Sequence, residues 1–118
     1  MYSIKVESNF SAAHNLRGYK GKCEDLHGHN WKIEAVAQRD RLDKAGMLLD
    51  FKYLKNKLNS CLEVLDHKYL NRLAYFRKTN PTSENIAKYI YSKLKRGIPE
   101  LKSVTVWENN TSCAIYEE

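Results

Sequence analysis

The sequence predicts an α+β domain in which two helices pack on one face of an antiparallel four-stranded sheet. Apolar and polar residues alternate near both ends of the chain, which is typical of strands. Between these stretches, apolar residues recur every three or four positions, which is typical of amphipathic helices. The predicted order is β-β-α-α-β-β, and hairpin-joined strands with helices on one face form two layers. We expect a single domain, residues 1–118.

The first two strands are predicted from period-two alternation over residues 2–14 and 27–38. A polar, glycine-containing loop separates them. His14 lies on the inner, apolar side of the first strand, and His27 and His29 lie on the inner side of the second. The apolar positions that define these inner sides are Tyr2, Ile4, Val6, Phe10, Ala12, Trp31, Ile33, Ala35 and Ala37.

Two helices follow a predicted turn over residues 42–46. Asp50 can cap a helix over residues 51–65. The second helix begins around residues 80–84, with a proline near its first turn, and ends near residues 95–97. The apolar stripes are Phe51, Leu54, Leu58, Cys61, Leu62 and Leu65 on the first helix, and Ile86, Ile90 and Leu94 on the second.

Two strands end the chain. Val104, Val106 and Glu108 share one parity, residues 109–110 supply a turn, and residues 112–116 return. This arrangement leaves one face of the sheet without helices. We therefore expect sheet packing or barrel closure between subunits, in a symmetric homo-oligomer.

The chain has a net charge of +6, with Lys and Arg scattered along it. Such a surface attracts nucleic acid, anionic lipid or a phosphorylated metabolite, or is simply solvated. The sequence has no Lys/Arg block, zinc-finger spacing or glycine-rich phosphate loop, so we expect no nucleic-acid partner. Apolar runs are shorter than the roughly 20 residues that span a bilayer, and the N-terminal alternation is unlike a signal peptide. We expect a cytoplasmic protein without a membrane partner.

Three histidines are candidate metal ligands. His27 and His29 are two residues apart on a predicted strand, so their side chains project to the same side. His14 ends the preceding strand, and an antiparallel register can bring it opposite the other two. Three neutral imidazoles with one open position form a typical catalytic zinc site. Other divalent metals, or surface histidines that bind no metal, remain alternatives here.

The three cysteines, at positions 23, 61 and 113, are far apart and odd in number, which argues against disulfides. Cys61 lies in a helical pattern and Cys113 in a strand pattern, so we expect both to be small buried hydrophobes. Cys23 lies in a polar loop beside the histidines. It could be a fourth metal ligand, a nucleophile or a general base, since a nearby cation makes thiolate available.

Two carboxylates and a helix start are further candidates. Asp66 directly precedes His67, and its carboxylate can orient the imidazole. Alternatively, His67 only interacts favourably with the dipole at the C-terminus of the first helix. Glu108 suits bidentate recognition of a guanidine-like edge, or it is a solvated strand end. Thr82 and Ser83 begin the second helix and could also present N–H donors to an anion or a heterocycle.

Together these segments resemble the 6-pyruvoyl-tetrahydropterin synthase family, most closely its 6-carboxy-tetrahydropterin synthase branch. The resemblance covers essentially the whole chain, and its motifs occur in the family's order. The three residues between Cys23 and His27 are similar to the carboxy branch, whereas animal pyruvoyl enzymes have a longer gap and a third group has glutamate for the cysteine. The motifs are Phe10-Ser11-Ala12-Ala13-His14, Cys23-x-x-x-His27-Gly28-His29, Leu49-Asp50-Phe51, Leu65-Asp66-His67-x-Tyr69-Leu70-Asn71, Asn80-Pro81-Thr82-Ser83-Glu84-Asn85 and Glu108.

The resemblance implies the tunnelling fold, in which a trimer closes a twelve-stranded barrel and two trimers stack into a hexamer. It implies that 7,8-dihydroneopterin triphosphate is converted to 6-carboxy-tetrahydropterin, acetaldehyde and triphosphate, on the route to 7-deazaguanine and queuosine. The basic charge would then suit an anionic triphosphate. Lys20 and Lys22 are guesses for residues that contact it.

The resemblance also implies roles for the site residues. Zinc would be bound by three histidines and by the substrate's side-chain hydroxyls. Cys23 would accept a proton, and Asp66 with His67 would form the proton relay. Glu108 would anchor the 2-amino-pyrimidine edge of the pterin and take part in the relay. The implied zinc ligands are His14, His27 and His29, and Thr82 and Ser83 are further candidates for substrate binding.

Three rival functions remain at this point. A related synthase would eliminate triphosphate without releasing acetaldehyde. A zinc-stabilised binding module without catalysis would use Cys23 as the fourth ligand. A basic nucleic-acid binder would show strongly salt-dependent affinity.

Overall fold

A computed structural model describes residues 1–20 and 24–118, and it has the predicted α+β architecture. In that part of the chain, five strands form one sheet on which two helices pack. Short 3₁₀ turns, Leu70–Arg72 and Ala74–Arg77, precede the second helix. The strands are β1 Tyr2–His14, β2 His27–Arg39, β3 Lys68–Tyr69, β4 Leu101–Asn109 and β5 Ser112–Glu117, and the helices are α1 Phe51–Glu63 and α2 Ser83–Lys95.

The sheet has the order β3-β1-β2-β4-β5, one strand more than predicted. The additional strand, β3, is two residues long and pairs in parallel with Ala12 and Ala13. So short a segment has no alternation to detect in the sequence. It reaches the sheet because the His67 N–H donates to the Ser11 carbonyl at 2.6 Å.

The long hairpin of β1 and β2 fixes the positions of the histidines. The two strands are antiparallel over their whole length, with Phe10 opposite Trp31 and His14 opposite His27. His29 lies opposite Ala12, two positions further along β2. The register therefore brings all three candidate ligands to the same end of the inner face, as the sequence predicted for this strand pair.

The helices begin where the sequence predicted. The Asp50 carboxylate accepts a hydrogen bond from the Lys52 N–H at 2.8 Å and caps α1, which ends at Glu63, two residues earlier than expected. The Thr82 hydroxyl accepts from the Asn85 N–H at 3.1 Å and caps α2. Each cap pairs a backbone donor that the helix itself leaves free.

The core lies between the helices and the inner face of the sheet. Some predicted core positions are wrong because they lie at the ends of elements or on the outer parity: Tyr2 and Phe51 are exposed, and so is Cys113, whereas Cys61 is half-buried. Burial raises the pKa of the Cys61 thiol to about 11. The largest fully buried side chains include Trp31, Phe76, Ile33, Leu54, Leu58, Leu65, Leu70, Ile86, Ile90 and Ile98.

The other face of the sheet is polar. The Lys5 ammonium lies 2.8 Å from the carboxylate of Glu34, which also accepts a hydrogen bond from the Trp107 indole. Burial raises the pKa of Glu34, but the two bonds together with the positive charges of Lys5 and Lys32 outweigh it, and the pKa is lowered overall. Neither helix in the described ranges is long and apolar enough to cross a membrane.

Candidate metal centre

Four side chains converge at the end of the inner face. His14 and His27 come from directly opposed positions of β1 and β2, His29 follows on β2, and Glu108 comes from β4. One potential ligand atom of each lies within 4.8 Å of the others. The structure thus brings together the three histidines that the sequence singled out, and it adds a carboxylate to them.

The spacing of these atoms suits a small divalent cation. His14 Nε2 lies 3.0 Å from His27 Nε2 and 3.5 Å from Glu108 Oε1. His29 Nε2 lies 3.3 Å from the same carboxylate oxygen. Ligands at about 2.0–2.1 Å from a tetrahedral zinc ion are separated from one another by roughly 3.3 Å. The site therefore fits zinc in both donor type and spacing.

Backbone carbonyls fix two of the imidazoles. His14 Nδ1 donates to the Pro81 carbonyl at 2.7 Å, and His27 Nδ1 donates to the Asp25 carbonyl at 2.9 Å. Since a carbonyl can only accept, each ring keeps its hydrogen on Nδ1 and presents the lone pair of Nε2 to the cluster. An outer partner of this kind is typical of metal-binding histidines.

His29 provides a further sign that the cluster suits a ligand. Its Nε2 atom is buried and has no hydrogen-bond partner among the described residues, because its 3.3 Å approach to Glu108 lacks hydrogen-bond geometry. A buried polar atom without a partner is costly. A bound cation would satisfy it.

Burial keeps His14 neutral. The side chain is 1% exposed. Burial lowers its pKa, and the neighbouring imidazoles of His27 and His29 lower it further, against the opposing effects of the Pro81 carbonyl and Glu108. Neutral imidazole is the form that binds a metal. The pKa shift therefore favours metal binding near neutral pH.

Trp31 forms the floor of the cluster. Its ring is fully buried and packs edge-on against His14 and His29, with ring centroids 4.9 and 5.0 Å apart. Phe10 stacks against Trp31 from the other side at 6.0 Å. These contacts restrict the imidazoles through packing as well as hydrogen bonds.

Glu108 reaches the histidines through an irregularity in β4. The pairing of β4 with β5 shifts register between Trp107 and Asn109, so Glu108 is the extra residue of a β-bulge. Its carboxylate lies within reach of the three histidines of the same chain. The sequence predicted that the Glu108 side chain faces inward, because Glu108 has the same parity as Val104 and Val106.

Asp66 and His67 lie just after α1 and pair directly. The Asp66 carboxylate is 3.0 Å from His67 Nδ1, and it accepts a second hydrogen bond from the Ser11 N–H at 2.9 Å. Mainly because of the Ser11 bond, and also because of the imidazole, the pKa of Asp66 is lowered. His67 has a φ of 56°, in the left-handed region, and this turn makes the adjacent side chains meet.

A cavity of about 570 Å³ lies beside His67, on the face of the sheet that turns away from the helices. His29 also lines it, but its Nε2 atom, which faces the candidate metal centre, is buried. Lys68 also lines the cavity, and among the described lining residues it is the one with a Lys or Arg side chain. The sequence did not suggest Lys68 as a site residue. Its proximity to the cavity depends on β3.

Another cavity, of about 340 Å³, is lined by Ser83 and Glu108 among others. Thr82, which was predicted to bind substrate together with Ser83, uses its hydroxyl to cap α2. Lys20 places its ammonium over the ring of Tyr19, 5.4 Å from the centroid.

Two predicted positions, Lys22 and Cys23, lie outside the described residues. The proposed roles of Cys23 and Lys22 therefore remain predictions from the sequence.

Comparisons with known proteins identify relatives that cover nearly the whole chain. A family model described as 6-pyruvoyl tetrahydropterin synthase matches residues 3–118. A 6-carboxy-5,6,7,8-tetrahydropterin synthase of Synechocystis is 42% identical, over 98% of this chain and 93% of that protein. A dihydroneopterin monophosphate aldolase of Pyrococcus furiosus is 34% identical, over 91% of this chain and 90% of that protein. The structure of the Caenorhabditis elegans 6-pyruvoyl tetrahydropterin synthase has a TM-score of 0.88 at 27% identity, covering 99% and 95% of the two chains.

Proposed function

The chain belongs to the 6-pyruvoyl tetrahydropterin synthase family, and from that premise we propose that it is a zinc-dependent 6-carboxy-5,6,7,8-tetrahydropterin synthase. Its substrate is 7,8-dihydroneopterin triphosphate, and its products are 6-carboxy-tetrahydropterin, acetaldehyde and triphosphate. The enzyme acts in the cytoplasm, in 7-deazaguanine and queuosine biosynthesis. Residues 1–118 form one domain.

The observation that carries this proposal is the convergence of His14, His27 and His29, with potential ligand atoms within 4.8 Å. One of these nitrogens, His29 Nε2, is buried and has no hydrogen-bond partner in the part of the chain that the structure describes. These residues would hold the metal. A zinc ion there would supply Lewis acidity toward the hydroxyl groups of the substrate's side chain.

We propose that the remaining site residues transfer protons and orient the substrate. Asp66 fixes the tautomer of His67 by accepting its Nδ1 hydrogen, which leaves Nε2 free to exchange a proton with groups in the cavity. Cys23 is the proton acceptor at the substrate's side chain.

The resemblance implied that Glu108 holds the 2-amino-pyrimidine edge of the pterin, but its carboxylate lies 3.5 Å from His14 Nε2 and 3.3 Å from His29 Nε2, so we propose that it acts in the relay beside the metal. Ser83, which lines the cavity next to Glu108, remains a proposed substrate contact.

Lys68 is our proposed contact for the triphosphate. It lines the same cavity as His29 and His67, and its ammonium can donate to phosphate oxygens. Lys20, one of the two candidates from the sequence, faces an aromatic ring instead, and the other, Lys22, lies outside the described residues.

We also propose a homo-oligomer, a hexamer built as a dimer of trimers. The order of the sheet leaves β5 at one edge, while β3 covers only Ala12 and Ala13 of β1 at the other. Uncovered edges pair readily with other strands. Pairing of β5 with β1 of the next copy would close a barrel around the polar face, and light scattering of the purified protein tests this.

The decisive experiment is complete turnover of 7,8-dihydroneopterin triphosphate, with product masses, acetaldehyde and bound metal measured in one sample. Acetaldehyde in amounts equal to the triphosphate released would support the proposed reaction. Triphosphate without acetaldehyde would identify a 6-pyruvoyl-tetrahydropterin synthase instead. Dihydroneopterin monophosphate should be assayed in parallel, because the Pyrococcus relative is named an aldolase for that substrate.

A Cys23→Ala variant separates catalysis from a structural zinc module. If it retains zinc but loses turnover, the thiol belongs to the reaction. If it loses zinc and unfolds, Cys23 is a fourth ligand, and the chain is a zinc-stabilised binding module. A nucleic-acid binder would instead show strongly salt-dependent affinity for RNA or DNA.

A further inference from the structure

Two side-chain amides hold the backbone that follows His14. Asn71 accepts from the Asn15 N–H at 3.0 Å and donates to the Asn15 carbonyl at 2.8 Å. Asn80 does the same for Arg17, accepting from its N–H at 2.9 Å and donating to its carbonyl at 3.0 Å. Each amide therefore pairs both backbone groups of one residue, as a neighbouring strand would.

These amide pairs continue the backbone hydrogen bonding beyond the last ladder residue of β1, up to the bend at Arg17. Asn15 and Arg17 each have both backbone groups paired by one amide. Between them, the Leu16 carbonyl accepts from the Glu24 N–H at 2.8 Å. The backbone after His14 is thus hydrogen-bonded although it lies past the end of the strand.

Asn80 is also covalently linked to the group that orients His14. Its neighbour Pro81 provides the carbonyl that accepts from His14 Nδ1 at 2.7 Å. The Asn80 carbonyl is itself fixed, since it accepts from the Asn85 side chain at 2.9 Å and from the Thr82 N–H at 2.8 Å. One dipeptide therefore fixes the backbone after His14 and the tautomer of its ring.

We propose that Asn80, supported by Asn71, is a positioning residue of the metal centre. By locking Arg17 and Pro81 to one another, it holds His14 Nε2 in the direction required for the cation. This inference rests on the proposed zinc site. It concerns the residues behind the ligands, which contact neither the cation nor the substrate.

The alternative is that Asn80 only stabilises the fold. Loss of stability alone would lower the folded fraction on heating but would leave the zinc affinity of the folded protein unchanged. Loss of positioning would weaken zinc binding in protein that is fully folded. Metal affinity, measured well below the unfolding transition, therefore distinguishes the two roles.

The test is zinc affinity by competition with a chromophoric chelator, in the wild type and in Asn80→Ala. We expect about 10- to 100-fold weaker binding in the variant, the usual effect of removing an outer partner of a metal ligand. Asn59→Ala is the matched control: Asn59 accepts from the Ser8 hydroxyl and thus also holds β1, but far along the strand from His14. The zinc affinity of Asn59→Ala should be within about twofold of wild type, since Asn59 does not contact the groups that orient the histidines.

Visible absorption of the Co²⁺-substituted proteins gives a second readout. A change in the ligand-field bands in Asn80→Ala, with none in Asn59→Ala, would show altered geometry at the ligands. Wild-type affinity and spectra in folded Asn80→Ala would overturn the inference while leaving the proposed zinc site intact. Failure of the wild type to bind zinc would overturn the proposed site and the inference together.

Asn80→Asp keeps the test possible if Asn80→Ala does not fold. The aspartate has the same shape and still accepts from the Arg17 N–H, but it cannot donate to the Arg17 carbonyl. Its negative charge would by itself favour a cation. Weaker zinc binding in Asn80→Asp, against the effect of the charge, would therefore assign the effect to the lost donor, and a wild-type Co²⁺ spectrum in Asn80→Asp would overturn the inference.

Discussion

The two regions that contain histidines hold their imidazoles in different ways. At the end of β1, the side chain of His14 is 1% exposed and is fixed by strand pairing, by Trp31 and by the Pro81 carbonyl. After α1, the side chain of His67 is 81% exposed and is fixed by a left-handed turn and by Asp66. The first region keeps a ring neutral and immobile, and the second keeps a ring oriented but open to solvent.

This difference matches two kinds of chemistry. A metal ligand must be deprotonated and must not move, and burial achieves both. A group that transfers protons must reach solvent or substrate, and a turn at the surface allows this while a carboxylate fixes the tautomer. The two regions lie near the same end of the β1–β2 hairpin, since His14 ends β1 and the His67 N–H donates to the Ser11 carbonyl.

The strongest test of this division uses zinc affinity. His14→Ala should reduce zinc affinity by more than about 100-fold, because it removes a ligand rather than an outer partner. His67→Ala should leave the affinity unchanged within about twofold, since His67 lies outside the cluster. Competition with a chromophoric chelator measures both, and equal losses in the two variants would contradict the division.

Turnover, in contrast to zinc affinity, should depend on the exposed region that contains His67. His67→Ala should lower kcat by about 10²- to 10⁴-fold, the range expected for loss of an acid–base group, with zinc content unchanged. The measurement is steady-state turnover together with metal analysis of the same sample. Normal kcat in a zinc-loaded His67→Ala protein would remove His67 from the relay.

A third test concerns the cavity beside His67. Lys68→Met should raise KM for the triphosphate substrate about tenfold, near the lower limit of what a charge-assisted hydrogen bond contributes. Lys20→Met is the matched control and should leave KM unchanged, because its ammonium lies over Tyr19. The reverse result would restore Lys20, one of the two candidates that the sequence suggested.

The long elements and the convergence of the three histidines were predictable from the sequence. Alternation over β1 and β2 determines which side chains face inward, and the pairing of adjacent strands then brings His14 to His27 without any long-range information. The caps at Asp50 and Thr82 are equally local, since each side chain bonds a backbone N–H two or three residues later.

The rest depends on tertiary contacts that leave no periodic signal. β3 exists because His67 bonds Ser11, and the bulge at Glu108 is a shift in pairing that alternation does not encode. The amide pairs of Asn71 and Asn80 join segments more than fifty residues apart. Their asparagines were visible in the motifs, but only the structure shows which backbone groups they bind.

A fourth test measures the strain in the exposed region. His67→Gly should be more stable than His67→Ala by about 1 kcal/mol, because glycine adopts the φ of 56° without a Cβ clash. At Asn56, within α1, the order should be reversed, with glycine less stable than alanine by about the same amount. Urea unfolding of the four variants gives the comparison, and a common order at both positions would contradict the left-handed turn.

The smallest expected effect is the pH dependence of stability that Asp66 contributes. Its pKa is lowered in the folded protein, first by the Ser11 N–H and then by His67, whereas an unfolded aspartate titrates near pH 3.9. Because the folded state holds the proton less tightly, this contribution is fully present above about pH 3.9 and is lost as the pH falls through the folded-state pKa.

Asp66→Asn removes that contribution but retains an oxygen that can accept from Ser11. The difference in unfolding free energy between wild type and Asp66→Asn should therefore be largest near pH 7 and should shrink below about pH 3.9. It should persist in a His67→Ala background, because the Ser11 bond is the larger cause of the lowered pKa. Urea unfolding between pH 7 and pH 2 measures the difference, and parallel stability curves for the two proteins would show that the turn after α1 does not stabilise the ionised carboxylate.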